Sequence, residues 1–238
     1  MAGISNRTRT VILKAAAAVA AVITIGACSG TPPARNITLT FVRHAQSQAN
    51  VEGIIDTSVP GPNLTREGRT QAEQAAHQLG RNKYDGIYAS DMVRTQQTAA
   101  PLAHMLGMRV EILPGLREID AGWYNSSPVK NANLTYLLAP VDWLEGDLKD
   151  AIPGSINGHQ FNDQFTAAVQ KIYDSGHTRP VAFSHAAAIM FWTLMNVKNP
   201  KDSLASHVLR NTGRVVITGS PTTGWTLVDW DGIRDFSY

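Results

Sequence analysis

From about residue 36 onward the apolar positions switch between two periods. Ile37-Thr38-Leu39-Thr40-Phe41-Val42 is apolar and β-branched and predicts a first strand. Leu64 to Leu79 follows the helical period instead: Ala72, Ala76 and Leu79 share one face, Asn63 or Thr65 can cap the start, and Gly80 ends it. The alternation continues with a strand over Gly86–Ser90, a helix over Met92–Leu106 closed by Gly107, and a strand over Arg109–Leu113. Phe161–Tyr173 predicts a helix, Pro180–Phe183 a strand, and the apolar Ala186–Val197 a buried helix. Val215–Thr218 and Trp225–Trp230, parted by the turn-forming residues 220–224, predict a closing hairpin. Residues 120–158 break the pattern and read as an insertion of short helices. Strands alternating with helices predict an α/β fold in three layers, with a mainly parallel central sheet flanked by helices.

The first 35 residues follow neither period. Met1 to Lys14 is short and basic, and Ala15 to Ala27 is an uncharged stretch of 13 residues rich in Ala, Val and Ile. A membrane span needs roughly 20 apolar residues, so this is the layout of a secretory signal, with a buried Ala-rich helix as the alternative. It ends in Ile25-Gly26-Ala27-Cys28, which resembles the bacterial lipoprotein signal, where an aliphatic and two small residues precede a cysteine that is lipid-modified and becomes the new N-terminus. Cys28 is the single cysteine of the chain, which also excludes a disulfide scaffold. The expected organisation is a signal peptide over 1–27, a lipidated tether over 28–35 containing Thr31-Pro32-Pro33, and a domain over 36–238 with a lid-like insertion at about 120–158. The expected location is the outer face of the cell membrane, with the membrane engaged through Cys28.

Composition sharpens this division. At 43% hydrophobic residues the chain can bury a core, which excludes a disordered protein. The net charge of +2 comes from three bases and no acid in residues 1–27; the remainder carries 18 bases against 19 acids. With no basic run, nucleic acid is not an expected partner.

In open α/β sheets, ligands sit outside the carboxyl ends of the strands. Those ends carry Arg43-His44-Ala45-Gln46-Ser47, Ser90-Asp91, Leu116-Arg117-Glu118 and Ser184-His185, so two histidines, Arg43 and Arg94 beside Arg117, and a glutamate gather at one edge. A neutral imidazole can attack phosphorus in line, and arginine forks suit the equatorial oxygens of a transferring phosphoryl group. A carboxylic acid of raised pKa can protonate the leaving oxygen.

Five segments carry a family resemblance: Arg43-His44-Ala45-Gln46-Ser47 with Asn50; Leu64-Thr65 with Gly68; Ser90-Asp91 with Arg94-Thr95 and Gln97-Thr98-Ala99; Leu116-Arg117-Glu118 with Gly122; and Ser184-His185. In order and spacing they resemble the histidine phosphatase superfamily, which includes cofactor-dependent phosphoglycerate mutases and many phosphatases. The resemblance implies the phosphoglycerate mutase-like fold and a phosphohistidine on His44. Arg43, Arg94 and His185 would hold the phosphoryl group, assisted by Asn50 and Ser47, and Glu118 would act as proton donor and later as base. It implies no cofactor and no metal, and no closely spaced ligand cluster stands in the sequence. Asp120 and Asp91 are competing candidates for the acid, although Asp91 also reads as a helix cap, and Arg117 as a salt-bridging neighbour.

The sequence departs from the family pattern in having Ala45 and Ala186 where glycine is common, so a methyl could intrude on the pocket and a binding-only protein stays an alternative. Residues 120–158 carry Lys130 and Lys149 against Asp120, Asp142, Glu145, Asp147 and Asp150, together with Trp123, Tyr124, Tyr136, Leu137, Leu138, Trp143 and Leu144. Such a lid would repel a polyanion and suits a small phosphomonoester with a neutral or apolar body. That favours a phosphatase over a mutase; alternatively the aromatics only pack the insertion.

Overall fold

The computed structural model describes residues 35–236, and the expected signal peptide and Cys28 lie outside them. The chain enters through β1 (Ile37–Arg43), then a short α1 (Gln48–Glu52) and α2 (Arg66–Leu79). Next come β2 (Gly86–Ala89), α3 (Val93–Leu106) and β3 (Val110–Ile112). The insertion holds 3-10 turns at Gly122–Tyr124 and Val129–Leu134 and the short α4 (Leu138–Leu144). α5 (Gly158–Asp174), β4 (Pro180–Ser184) and α6 (Ala186–Asn196) follow, and the hairpin β5 (Arg214–Ser220) and β6 (Gly224–Trp230) closes the sheet.

The strands order as β3-β2-β4-β1-β5-β6. The first four are parallel, and the hairpin adds on antiparallel to β1, so the sheet is mixed. Alternation along β1 divides the core. Ile37, Leu39 and Phe41 face the layer of α5 and α6, whereas Val42 faces that of α2 and α3. Phe41, Phe165 of α5 and Trp192 of α6 form an aromatic knot, with centroids 5.2–5.6 Å apart. α6 is buried at every position from Ala187 to Leu194, as expected of a helix enclosed on all sides.

Local signals set the helix ends. Thr65 caps α2 by accepting from the Gly68 amide at 2.9 Å, and Gly107 closes α3 in the left-handed conformation. Asp91 does not cap α3, contrary to the sequence expectation. Its carboxylate pairs in two-point fashion with Arg117, while Pro60 O accepts from Val93 N at 2.8 Å and Ser90 Oγ from Met92 N at 3.3 Å. At the start of the domain, Arg35 stacks 4.3 Å over the Tyr173 ring and donates to the Tyr173 carbonyl, which pins the entry of β1 to the end of α5. Among the described residues no helix is long and apolar enough to cross a membrane.

Candidate active site

Parallel β1, β2 and β4 end at the same pole, and the residues just past their ends converge there. A cavity of about 170 Å³ opens at this pole, with Arg43, His44, Arg94 and Glu118 at its polar end. His44 leaves β1 buried. Its Nδ1–H donates to the Ala45 carbonyl at 2.7 Å, which selects the tautomer whose Nε2 carries the lone pair. The backbone around it is fixed by His44 N donating to Ser184 O at 3.0 Å and by Asn211 Nδ2 donating to His44 O at 3.1 Å. Burial holds the His44 imidazolium well below the ordinary histidine range, with Arg94 and Arg43 adding to the effect, so the ring is neutral at pH 7.

His185 is the N-cap residue of α6 and is fully buried. Its ring lies 5.2 Å from that of His44, behind the cavity wall rather than on it. Nε2 meets Ser90 Oγ at 2.9 Å, and Nδ1 has no partner. Burial, then Arg94 and His44, keep it neutral too. Arg94 is also buried. One of its nitrogens, Nη2, donates to Asp56 O at 3.1 Å, and the other, Nη1, has no partner. Arg43 is anchored by a bond from Nη1 to Leu209 O, and its Nε is unpartnered. Buried donors are rarely left unmade, and the two arginines that line the cavity each keep a nitrogen available to an anion.

Glu118 reaches this space from the turn after β3. Its Oε1 accepts from Ala188 N at 2.8 Å and Ile119 N at 3.0 Å, and Oε2 from Ala187 N at 3.3 Å, so the carboxyl sits on the N-terminus of α6. These donors and Arg94 favour the carboxylate, yet burial outweighs them and pushes the pKa up. The competing acids are engaged elsewhere. Asp120 is exposed and accepts from Gly122 N at 3.2 Å, and Asp91 holds Arg117. Ser184 Oγ, donating to Leu116 O at 2.7 Å, ties the turn that carries Glu118 to the end of β4.

Ser47 and Asn50 line the cavity and form a reciprocal capping box on α1, Ser47 N donating to Asn50 Oδ1 at 3.1 Å and Asn50 N to Ser47 Oγ at 3.3 Å. Asn50 Oδ1 also accepts from Asn211, so what Asn50 can offer a ligand is its amide NH2. The Ala45 methyl turns into a small cluster with Leu64 and Ala72, so no intrusion arises there, whereas Ala186 does line the cavity. The remaining motif residues are scaffold. Thr98 Oγ1 accepts from Ala45 N at 3.0 Å, and a Cβ on Gly68 would meet Gln46 O at 2.0 Å.

Two residues of the site, Asp56 and Asn211, escaped sequence reasoning, and Tyr136 stood out only as one aromatic of the insertion. Asp56 and Tyr136 line the cavity, the latter buried and donating to Ile119 O at 2.8 Å. Asn211 braces His44 from the loop before β5. Gly61 matters too: at φ +72°, an added Cβ would lie 2.8 Å from Arg94 Nη1. The insertion aromatics divide, with Tyr136 and Leu137 facing the cavity, Trp143 stacked on Phe161 at 5.5 Å, and Trp123 exposed. Among the described residues no three His, Cys, Asp or Glu side chains group as a metal site.

An α/β sheet whose carboxyl pole gathers two neutral histidines, a buried and a half-buried arginine and a carboxyl of raised pKa has the groups that handle a phosphoryl group. A model of the histidine phosphatase superfamily (branch 1) matches residues 39–232, and the chain belongs to that family. PE-PGRS family protein PE_PGRS11 of Mycobacterium tuberculosis is 46% identical over 216 residues, 84% of this chain but 37% of its own, so the chain spans little more than a third of that relative. Phosphoserine phosphatase 1 of Hydrogenobacter thermophilus is 32% identical over 104 residues, 42% of this chain and 47% of its own. Among solved structures, mycobacterial glucosyl-3-phosphoglycerate phosphatase superposes with a TM-score of 0.69 at 23% identity, over 84% of this chain and all of that one. Phosphoserine phosphatase of Entamoeba histolytica in complex with 3-phosphoglyceric acid does so at 0.65 and 21%, over 83% and 100%. These likenesses are of fold.

Proposed function

We propose that the protein hydrolyses phosphomonoesters through a phosphohistidine on His44, without a metal. The observation that carries the reading is the neutral His44, its Nδ1 engaged and its Nε2 free, beside the unpartnered donors of Arg94, Arg43 and His185. In the first step Nε2 forms a bond to phosphorus as the ester P–O bond breaks, and protonated Glu118 gives its proton to the departing alkoxide. In the second, water attacks phosphorus, its proton goes to Glu118, and the P–N bond breaks to release phosphate and neutral His44. Arg43 and Arg94 match the charge spread over the equatorial oxygens, where preorganised donors act most strongly in a water-poor cavity. His185 supports the same oxygens through Nδ1–H, and Asn50 and Ser47 assist from the wall. The raised pKa of Glu118 supports its part as the acid.

The test is purified protein with an aryl phosphate in excess EDTA. EDTA-resistant turnover and an acid-labile phosphoenzyme are expected, both lost in His44→Ala by about 10⁴-fold or more. Transfer of label between two esters would instead indicate a mutase, and vanadate binding without turnover a binding-only protein. We further propose that Cys28 is lipid-modified and holds the domain on the outer face of the membrane. Cys28→Ala is expected to release the protein to the soluble fraction, and tight membrane retention would refute the anchor.

A further inference from the structure

Resting on the phosphomonoesterase reading, we infer that the ester is the monophosphate of a long apolar alcohol, with one phosphoryl head and a hydrocarbon tail. The cavity is cationic at one end and apolar along its walls. Ile54, Ile55, Val129, Leu137, Met190 and Val208 line it above the two arginines.

What the walls omit is as informative. Arg43 and Arg94 are the only bases among the lining residues, and the single charged side chain among them besides these and Glu118 is Asp56. A second anionic group on the substrate, such as a carboxylate, would find no cation there and one like charge. Apart from the Asn50 amide NH2, the polar groups of the walls already have partners: Tyr136 OH on Ile119 O, Thr57 Oγ1 on Asp120 Oδ1 and Asn125 Oδ1, Ser47 Oγ and Asn50 Oδ1 in their capping box. Substrate hydroxyls would compete with bonds already made, whereas methylenes displace water from side chains that bond nothing.

Size points the same way. At about 170 Å³ the cavity falls short of the roughly 300–1,000 Å³ of sites that house bulky ligands, so it takes the head and the first carbons of a tail. Beyond it, two lining residues and three residues near lining positions in the chain are apolar and exposed. Val129 and Val208 are 48% and 64% exposed, and Val51, Leu134 and Leu138 of the flanking segments 65%, 77% and 51%.

The experiment measures kcat/KM of the full chain for monomeric butyl, hexyl and octyl phosphates, with 3-phosphoglycerate and p-nitrophenyl phosphate alongside. A fully buried methylene is worth roughly fourfold, so a rise of at least about tenfold from butyl to octyl is expected. Octyl phosphate should also exceed 3-phosphoglycerate by about a hundredfold. Val129→Asp and Met190→Asp should flatten the octyl-to-butyl ratio, which is read within each variant and is insensitive to overall losses. The same series bound to His44→Ala by calorimetry reads tail recognition without turnover. Turnover of p-nitrophenyl phosphate with no chain-length slope, or a preference for 3-phosphoglycerate, overturns the inference and leaves the phosphatase reading standing. A binding slope without turnover of any ester supports tail recognition and overturns hydrolysis. Neither slope nor turnover overturns both.

Discussion

The floor of the cavity and its walls are lined by side chains of different kinds. Each polar side chain of the floor is fixed by a directional bond: His44 to Ala45 O, Arg43 to Leu209 O, Arg94 to Asp56 O, Glu118 to the first amides of α6. The walls come from α1, the loop after it, the 3-10 turn Val129–Leu134, and α6; backbone bonds such as Ile55 N to Ser127 O and Val129 N to Gly53 O, both 2.8 Å, join the loop to the insertion, but the side chains turned to the cavity are mainly apolar. Directional bonds fix an atom to fractions of an ångström, whereas apolar packing tolerates exchange of similar volumes. Changes on the floor should therefore lower turnover of every ester alike, and changes on the wall should re-rank esters.

Arg94→Ala should break the floor most severely after loss of the nucleophile, lowering kcat/KM for any ester by about 10²–10³-fold in steady-state assays. Arg94→Lys should recover little of this, because a point charge lacks the fork. Glu118→Gln sharpens the comparison by leaving group. An alkyl ester, whose alkoxide needs the proton, should lose about 10²-fold or more, and p-nitrophenyl phosphate much less. Its pH behaviour has a definite sign. The fold holds the Glu118 pKa above the ordinary carboxylate range, so its share of stability is full at acid pH and is lost as pH rises through the raised value. The Tm of Glu118→Gln relative to the native protein should therefore rise from acid to neutral pH, and the alkaline fall in alkyl-ester turnover should vanish in the variant. His44 and His185, held below the ordinary range, act oppositely: their contribution is present above that range and is lost as pH falls through the depressed values.

Smaller effects lie further from the floor. Gly61→Ala places a methyl 2.6 Å from Ser58 O and 2.8 Å from Arg94 Nη1 at a positive φ. It should cost about 1–2 kcal/mol in denaturant unfolding and about tenfold in turnover of all esters. Tyr136→Phe removes the bond to Ile119 O and should cost about 1 kcal/mol, with a few-fold lower kcat as the turn carrying Glu118 loosens. Val141→Ser, 46% exposed on α4 and outside the cavity lining, should stay within about 0.5 kcal/mol and leave every ester unchanged.

How much of this was legible in the sequence depended on period and range. Strands and long helices stood out because β1 or α5 repeats its pattern long enough to be counted, and predicted bounds lie within a few residues of those observed. α1 was missed, since Gln48–Glu52 is too short for any period and its capping box uses Asn50 where Glu or Gln is the familiar sign. Asp91 read as a cap because a Ser-Asp pair precedes a helix; only folding brings Arg117 against it. The floor residues sit at strand ends and so announced themselves. Asp56 and Asn211 belong to no pattern, and enter the site through contacts between segments remote in sequence.

β1 is also a spacer. It runs from the Arg35–Tyr173 stack at one pole to His44 at the other, seven residues or roughly 20–25 Å. Its two ends therefore set the Arg35–Tyr173 stack and His44 on opposite sides of the domain. Substitutions at the Arg35–Tyr173 clasp thus act on β1 a whole strand's length away from the chemistry proposed for His44.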